Sequence, residues 1–161
     1  EILKDTNNVR LFSKKVYKQK DMFYLGRGLD YATALEASLK LKEISYIHSE
    51  AYAAGELKHG PIALIENNVT VISIITNPET APKTLSNMQE VITRGAKTFV
   101  ITNQKLENVE IDNVFTIPEI STYLSPILSV IPLQLYAYYI SKEKGLDVDK
   151  PRNLAKSVTV E

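Results

Sequence analysis

The chain has 161 residues, of which 44% are hydrophobic and 24% charged, with 6 Gly and 7 Pro. This length fits one domain, and the composition is that of a folded globular chain rather than a disordered or fibrous one. Lys plus Arg and Asp plus Glu each number 19, so the net charge is zero. Because no global field attracts a polyanion or an anionic membrane, we expect neither nucleic acid nor membrane as a partner.

Cysteine and histidine counts limit the chemistry further. The chain has no cysteine and two histidines, which excludes disulfides, thiolate metal sites and a cysteine nucleophile. The sequence predicts no metal site and no cofactor, and it favours a reducing, cytoplasmic location. The chain starts at Glu1 without Met and shows no charged-then-apolar leader, so we expect an excised piece without a secretory signal.

The first half of the chain predicts alternating strands and helices. Residues 1–21 are charged with a weak helical pattern, typical of a linker or a leading helix. A short apolar run at 22–25 predicts a buried strand that ends at Gly26-Arg27-Gly28. Apolar residues at near-helical spacing predict a helix over 31–47, and the run at 69–75 predicts a second buried strand.

The second half continues the alternation. The pattern predicts a helix around 85–92, followed by strands at 98–101 and 114–117. The uncharged run at 120–141 contains two prolines and many hydroxyl side chains, which indicates a buried helix rather than a membrane span. We expect that helix to run from Ser125, as its cap, to about Lys144. The order predicts a parallel sheet with helices on both faces and ligands at the carboxyl ends of the strands.

The loop Gly26-Arg27-Gly28 has two interpretations. It follows a strand, as in dinucleotide-binding folds, but Tyr31 stands where the third glycine of that motif belongs. The favoured interpretation is a turn that lets the next helix pack close to the sheet. Arg27 is either an anion contact or an ordinary surface arginine.

Three charged residues on the predicted helix form one stripe. Glu36, Lys40 and Glu43 are spaced by four and three residues, so their side chains share a helix face. The spacing alone favours a solvated salt-bridge ladder, but it also allows their chemistry to converge on a ligand.

Two further positions are candidates with open alternatives. His59 precedes Gly60 and Pro61, which can present its imidazole at a definite angle, although a lone loop histidine is as often incidental. His48 is expected to be a local cap or packing residue after the helix. Arg152 and Lys156 lie in a polar tail without hydrophobic periodicity, where the alternative is a disordered basic tail.

Three segments together resemble one family. They are 34–48 (ALEASLKLKEISYIH), 50–61 (EAYAAGELKHGP) and 150–161 (KPRNLAKSVTVE), and they resemble the glutamine–fructose-6-phosphate aminotransferases (isomerising), or glucosamine-6-phosphate synthases. The resemblance implies the sugar isomerase (SIS) fold, a flavodoxin-like α/β three-layer sandwich with a mostly parallel sheet flanked by helices. It also implies the second of two such domains, at 22–148, with a catalytic tail at 149–161.

The family makes glucosamine 6-phosphate from fructose 6-phosphate and glutamine-derived ammonia. Its glutaminase uses a cysteine, which this chain lacks, and its phosphate loop belongs to the first SIS domain. The resemblance therefore implies a half-site that is inactive alone. The implied partners are the sugar phosphates, the first SIS domain, the glutaminase domain and a second subunit in a homodimer.

The resemblance also implies residue roles. Glu43 resembles the base that moves a proton between sugar carbons one and two, and Lys40 resembles its cationic neighbour. Glu36 matches a supporting position of the same helix. His59 resembles the histidine that opens the sugar ring of the substrate bound in the partner subunit.

The tail carries the remaining implied roles. Lys156 resembles the lysine that forms a Schiff base with the open ketose. Ala155 resembles a tail residue that separates the sugar site from the ammonia channel, and Arg152 is expected to close over the sugar. Two alternatives remain open: a non-catalytic, sugar-phosphate-binding regulatory module of the same fold, and a dimerisation or scaffold domain.

Overall fold

The structure, a computed structural model, describes residues 2–4, 6–106, 111 and 113–154. Its strands are β1 (Asp21–Gly26), β2 (His48–Ala53), β3 (Thr70–Ile75), β4 (Lys97–Thr102) and β5 (Val114–Thr116). Its α-helices are α1 (Asn7–Val16), α2 (Leu29–Ser45), α3 (Ala81–Ile92) and α4 (Ser125–Glu143). Short 3-10 helices span Ile2–Lys4, Ala54–His59 and Pro61–Leu64; we call the second of these the His59 segment.

The five strands form one parallel sheet in the order β2-β1-β3-β4-β5. Strand β1 lies between β2 and β3, so that Leu25 is opposite Tyr52 on one side and Ser73 on the other. All six residues of β3 are buried, as expected for a strand covered on both faces. The predicted parallel α/β fold is confirmed.

Two cores on opposite faces of the sheet make the fold three-layered. Alternate side chains of one strand point to opposite faces, so Tyr24 joins a core with α1, α2 and α4, whereas Leu25 joins a core with α3 and the His59 segment. Helix α1 contributes Phe12, which stacks on Phe99 with ring centroids 4.9 Å apart. The leading segment is therefore part of the first core.

Strand β2 is an element that the sequence pattern missed. It pairs with β1 alone, at the edge of the sheet, and its residues are mostly half-buried. Such a strand has no continuous apolar run. The prediction that His48 is a cap or packing residue is wrong: it begins β2, is exposed, and its Nδ1 lies 3.0 Å from Asp21 Oδ1.

Helix α4 begins at Ser125, as predicted, but Ser125 does not cap it. Its hydroxyl instead donates to the Thr122 carbonyl at 2.8 Å and lies 2.7 Å from Thr76 Oγ1. Thr76 in turn donates its backbone N–H to the buried carboxylate of Asp30 at 2.9 Å, and its hydroxyl also bonds that carboxylate. This network joins the start of α2, the end of β3 and the start of α4. Within the described ranges, no helix is long and apolar enough to cross a membrane.

Tyr24 provides a test of the first core. Its side chain is fully buried, and its hydroxyl has no hydrogen-bond partner among the described residues. A buried hydroxyl without a partner costs about 1–3 kcal/mol. We therefore expect Tyr24→Phe to raise the free energy of unfolding of the 161-residue chain by about 1 kcal/mol in urea titrations.

The matched control is Tyr136→Phe, which removes the contact of the Tyr136 hydroxyl with Met22 Sδ at 3.1 Å and should not stabilise the chain. Burial raises the pKa of both tyrosines above the usual value. Stability that is present below about pH 10 is therefore lost as the unfolded tyrosines ionise above it. Tyr24→Phe should lessen that loss of stability at alkaline pH. If Tyr24→Phe is no more stable than the parent chain at any pH, the Tyr24 hydroxyl has a hydrogen-bond partner.

Candidate functional site

The charged stripe of α2 forms a connected ion-pair cluster. Lys40 Nζ lies 2.7 Å from Glu43 Oε2 and 3.7 Å from Glu36 Oε1. Lys40 and Glu43 are half-buried, whereas Glu36 is exposed. The hydrogen bond that Lys40 donates to Glu43 is the main cause that raises the pKa of Lys40, against the opposing effect of burial. Lys40 is therefore a cation held against Glu43 at neutral pH.

This pair suits a carboxylate that works as a base. The ammonium of Lys40 donates a hydrogen bond to Oε2 of Glu43 at 2.7 Å. In the described part of the chain, no hydrogen bond reaches Oε1 of Glu43. One carboxylate oxygen is thus held in place while the other remains open to a proton of a substrate.

Glu36 lies at the rim of a shallow apolar groove between α2 and the start of α4. The groove has a volume of about 340 Å³. Its other lining residues are Ala32, Thr33, Pro126, Ile127 and Val130. The stripe therefore continues from a charged pair at the end of α2 to a carboxylate beside an apolar surface.

Tyr46 fastens the described part of the tail to the end of α2. It follows α2 in the left-handed conformation, with φ of 59°. Its hydroxyl accepts the backbone N–H of Arg152 at 2.8 Å, and the Arg152 guanidinium carbon lies 4.1 Å from the centre of its ring. Arg152 and Glu43 are thus placed at the same end of α2, because Tyr46 follows Glu43 by three residues.

His59 lies at the other end of the sheet within one chain. Helix α2 returns from the carboxyl end of β1 to the amino end of β2, so Glu43 lies near the amino ends of the strands. The His59 segment begins directly after β2 ends, and six residues of strand span about 20 Å. His59 is exposed. The structure therefore brings Glu36, Lys40, Glu43 and Arg152 to one helix and leaves His59 apart from Glu43.

Two predicted site residues lie outside the described part of the chain, and one residue near the site was not predicted. Lys156 and Ala155 lie outside the described residues. Tyr46 was missed because a tyrosine after a helix gives no motif, and its partner in the tail is 106 residues away. No group of three His, Asp or Glu residues in the described ranges could hold a metal ion.

Tyr52 and Glu50 on the edge strand β2 form a further polar pair that the sequence did not indicate. The Tyr52 hydroxyl donates to Glu50 Oε2. Partial burial, together with that carboxylate, raises the pKa of Tyr52 to about 12. Tyr52 is therefore a neutral donor at physiological pH rather than a base.

Five parallel strands covered by helices on both faces make this chain a three-layer α/β domain, and α2, the crossover helix between β1 and β2, carries the Lys40–Glu43 pair. A family model described as the SIS domain matches residues 15–141. The chain belongs to the SIS domain family.

Within this family, the chain is similar to proteins of one name. The chain is 56% identical, over its whole length, to a glutamine–fructose-6-phosphate aminotransferase (isomerising) of Clostridium perfringens, of which it covers 27%. It is 61% identical, over 95% of its length, to the enzyme of that name from Clostridium tetani and covers 26% of it. The chain thus spans about a quarter of the length of these relatives, and the resemblance inferred from the three sequence segments is confirmed.

The fold of this chain also matches solved structures. The C-terminal domain of glucosamine-fructose-6-phosphate aminotransferase from Francisella tularensis matches with a TM-score of 0.86 and 41% identity, covering 92% of this chain and 43% of that one. Tagatose-6-phosphate ketose/aldose isomerase from Escherichia coli matches with a TM-score of 0.76 at 20% identity, covering 92% of this chain and 43% of that one. The second match supports the fold alone.

Proposed function

We propose that this chain is the second sugar isomerase domain of a glucosamine-6-phosphate synthase. In this role it helps to convert fructose 6-phosphate and glutamine-derived ammonia into glucosamine 6-phosphate. The observation that carries the proposal is the Lys40–Glu43 pair, at 2.7 Å, on the same end of α2 as the tail residue Arg152. The relatives that are 56–61% identical bear the name of that enzyme.

Glu43 is the proposed base of the isomerisation. Its free oxygen removes a proton from one of sugar carbons one and two and returns it to the other, while the Lys40 cation holds the opposite oxygen. Glu36 supports the position of Lys40 through the 3.7 Å ion pair. The hydrogen bond thereby fixes the direction of the Glu43 carboxylate.

The tail supplies the proposed covalent step. Lys156 follows Arg152 by four residues, a length of chain that can span about 14 Å. Because Arg152 is anchored on Tyr46, beside the end of α2, the Lys156 amine is within chain reach of a sugar held at Glu43. Lys156 forms the Schiff base with the open ketose, Arg152 closes over the sugar, and Ala155 helps to separate the sugar from the ammonia path.

The partners of this half-site follow from its surface. Leu35 and Leu39 of α2 and Ile127 of α4 are 48%, 45% and 62% exposed beside the Glu36 groove. Exposed apolar patches of this kind mark contact surfaces. We assign this one to the first sugar isomerase domain, which supplies the phosphate loop. We also propose that the glutaminase domain is a partner, that the enzyme is a homodimer and that it is located in the cytoplasm.

His59 belongs, in this proposal, to the sugar site of the partner subunit, because within one chain it lies at the opposite end of the sheet from Glu43. We expect His59→Ala and Glu43→Gln versions of the full-length synthase each to lose most of the synthase rate separately. Mixed dimers should regain activity, since one of their two sites has both groups. Random exchange should restore about a quarter of the parental rate, from half of the dimers and half of their sites.

The measurement is synthase activity after subunit exchange between two differently tagged copies. His48→Ala serves as the matched control for removing an imidazole, and it should keep the parental rate because His48 is exposed at the start of β2. If verified mixed dimers remain inactive, His59 serves its own chain and the partner-subunit role is wrong.

A further inference from the structure

Arg27, in the loop between β1 and α2, has its guanidinium beside Gly55 of the His59 segment. We propose that Arg27 is a positioning residue that holds the His59 segment, and through it the imidazole that opens the sugar ring. The inference rests on the proposed role of His59. It gives a function to the Gly26-Arg27-Gly28 loop, which the assigned chemistry does not use.

Glycine is required on either side of Arg27. A Cβ at Gly26 would lie 2.4 Å from the Asp30 carbonyl carbon and 2.5 Å from the Tyr31 nitrogen, both of which are backbone atoms of α2. Gly28 has φ of 56°, which favours glycine. The sequence favoured a turn that lets the next helix pack close to the sheet, and α2 packs closely on the end of β1 in this way. Arg27 thus lies in a tight loop that only these two glycines permit.

The guanidinium of Arg27 lies directly against Gly55 of the His59 segment. A Cβ at Gly55 would lie 2.9 Å from Arg27 Nη2 and 3.1 Å from Nη1. Nη2 also donates to Asn87 Oδ1 at 2.9 Å, and Asn87 is a residue of α3 that is only 3% exposed. One planar side chain thus connects the loop, the His59 segment and α3.

The His59 segment is also held by the second core. Ala54 and Leu57 are fully buried there. His59 ends the segment, and Gly60 follows with φ of 156° and ψ of −55°, before Pro61 starts the next 3-10 turn. His59 is exposed, so its own side chain does not fix its position. The segment that carries it is held by the second core at Ala54 and Leu57 and contacts Arg27 at Gly55.

This arrangement predicts a specific loss when Arg27 is changed. Displacement of a catalytic group by about 1 Å can lower a rate a hundredfold. In Arg27→Met the side chain keeps its apolar stem but loses the hydrogen bond to Asn87 and the flat contact with Gly55. The His59 segment is then held by the second core without the contact at Gly55, and ring opening should slow while the steps at Glu43 remain unaffected.

The test compares two substrates in the full-length synthase. Fructose 6-phosphate closes its ring through the hydroxyl of carbon five, so its 5-deoxy analogue is an open ketone that requires no ring opening. We expect Arg27→Met to lower kcat for fructose 6-phosphate by about tenfold and to change kcat for the 5-deoxy analogue by less than about twofold. His59→Ala should show the same selectivity with a larger loss.

A double variant with Arg27→Met and His59→Ala distinguishes positioning of His59 by Arg27 from a general structural effect of losing Arg27. If Arg27 acts through His59, the double variant should be no slower on fructose 6-phosphate than His59→Ala alone. Equal losses on both substrates, or additive losses in the double variant, would overturn the positioning role and leave the role of His59 intact. If His59→Ala itself shows no selectivity between the substrates, the proposed role of His59 fails and the inference fails with it.

Gly55→Ala tests the same contact without removing the arginine. The added methyl group would press on the guanidinium, so a selective loss on fructose 6-phosphate is expected here too, even if Arg27→Met folds poorly. Arg94→Met is the matched control, because Arg94 is an exposed arginine whose side chain, among the described residues, bonds the Glu90 carbonyl four residues before it. It should leave both rates at the parental level.

Discussion

Replacing Glu43 by Gln in the full-length synthase should lower the rate of sugar isomerisation by about a thousandfold, the contribution expected of a positioned general base. The amide keeps the size and shape of the carboxylate but cannot accept the proton. It also removes the negative charge that holds Lys40 at 2.7 Å, so the pKa of Lys40 should fall toward its usual value. Glutamine hydrolysis, which this chain does not perform in our proposal, should remain measurable.

The measurement is exchange of solvent deuterium into carbons one and two of the sugar, followed by mass spectrometry or NMR. Glu66→Gln is a matched control, because Glu66 is exposed in the connection before β3, and it should exchange at the parental rate. Parental exchange in Glu43→Gln would show that Glu43 is not the base. The α2 stripe would then be the solvated ion-pair ladder that its spacing alone also allows.

Replacing Lys156 by Arg should abolish synthase activity. Arginine keeps a positive charge at that position but cannot form an imine. In the proposed step, the neutral amine attacks the ketose carbonyl at carbon two, a carbon–nitrogen bond forms, and water leaves as the imine is completed. A role that needed only charge would leave partial activity, whereas covalent catalysis predicts complete loss.

Borohydride trapping locates the imine. Reduction of the full-length synthase with fructose 6-phosphate should leave a sugar adduct on the peptide that contains Lys156, and Lys156→Arg should leave none. Lys144 is the informative competitor, since burial and then the charge of Arg152 lower its pKa. Lys144→Arg should keep the adduct; an adduct on Lys144, or on no lysine, would remove Lys156 from the mechanism.

The sequence alone determined the elements that are governed by local pattern. Strand β3 is readable because it is buried on both faces and is therefore apolar at nearly every position. The stripe of Glu36, Lys40 and Glu43 is readable because a helix brings residues three and four apart together, and the ion pairs confirm that placement. The family was readable because three long segments match at once, although the residue roles that the family implies remain predictions.

Only the tertiary structure decided how distant residues meet. Strand β2 escaped the pattern because it lies at the edge of the sheet, is mostly half-buried and has no continuous apolar run. Ser125 bonds Thr76 rather than capping its helix, Arg152 rests on Tyr46, and Arg27 lies on Gly55. These contacts join positions 28 to 106 residues apart, and the side-chain spacing within one element contains no information about them. The separation of His59 from Glu43 has the same origin. The parallel crossover places the end of α2 near the amino ends of the strands and the end of β2 at their carboxyl ends.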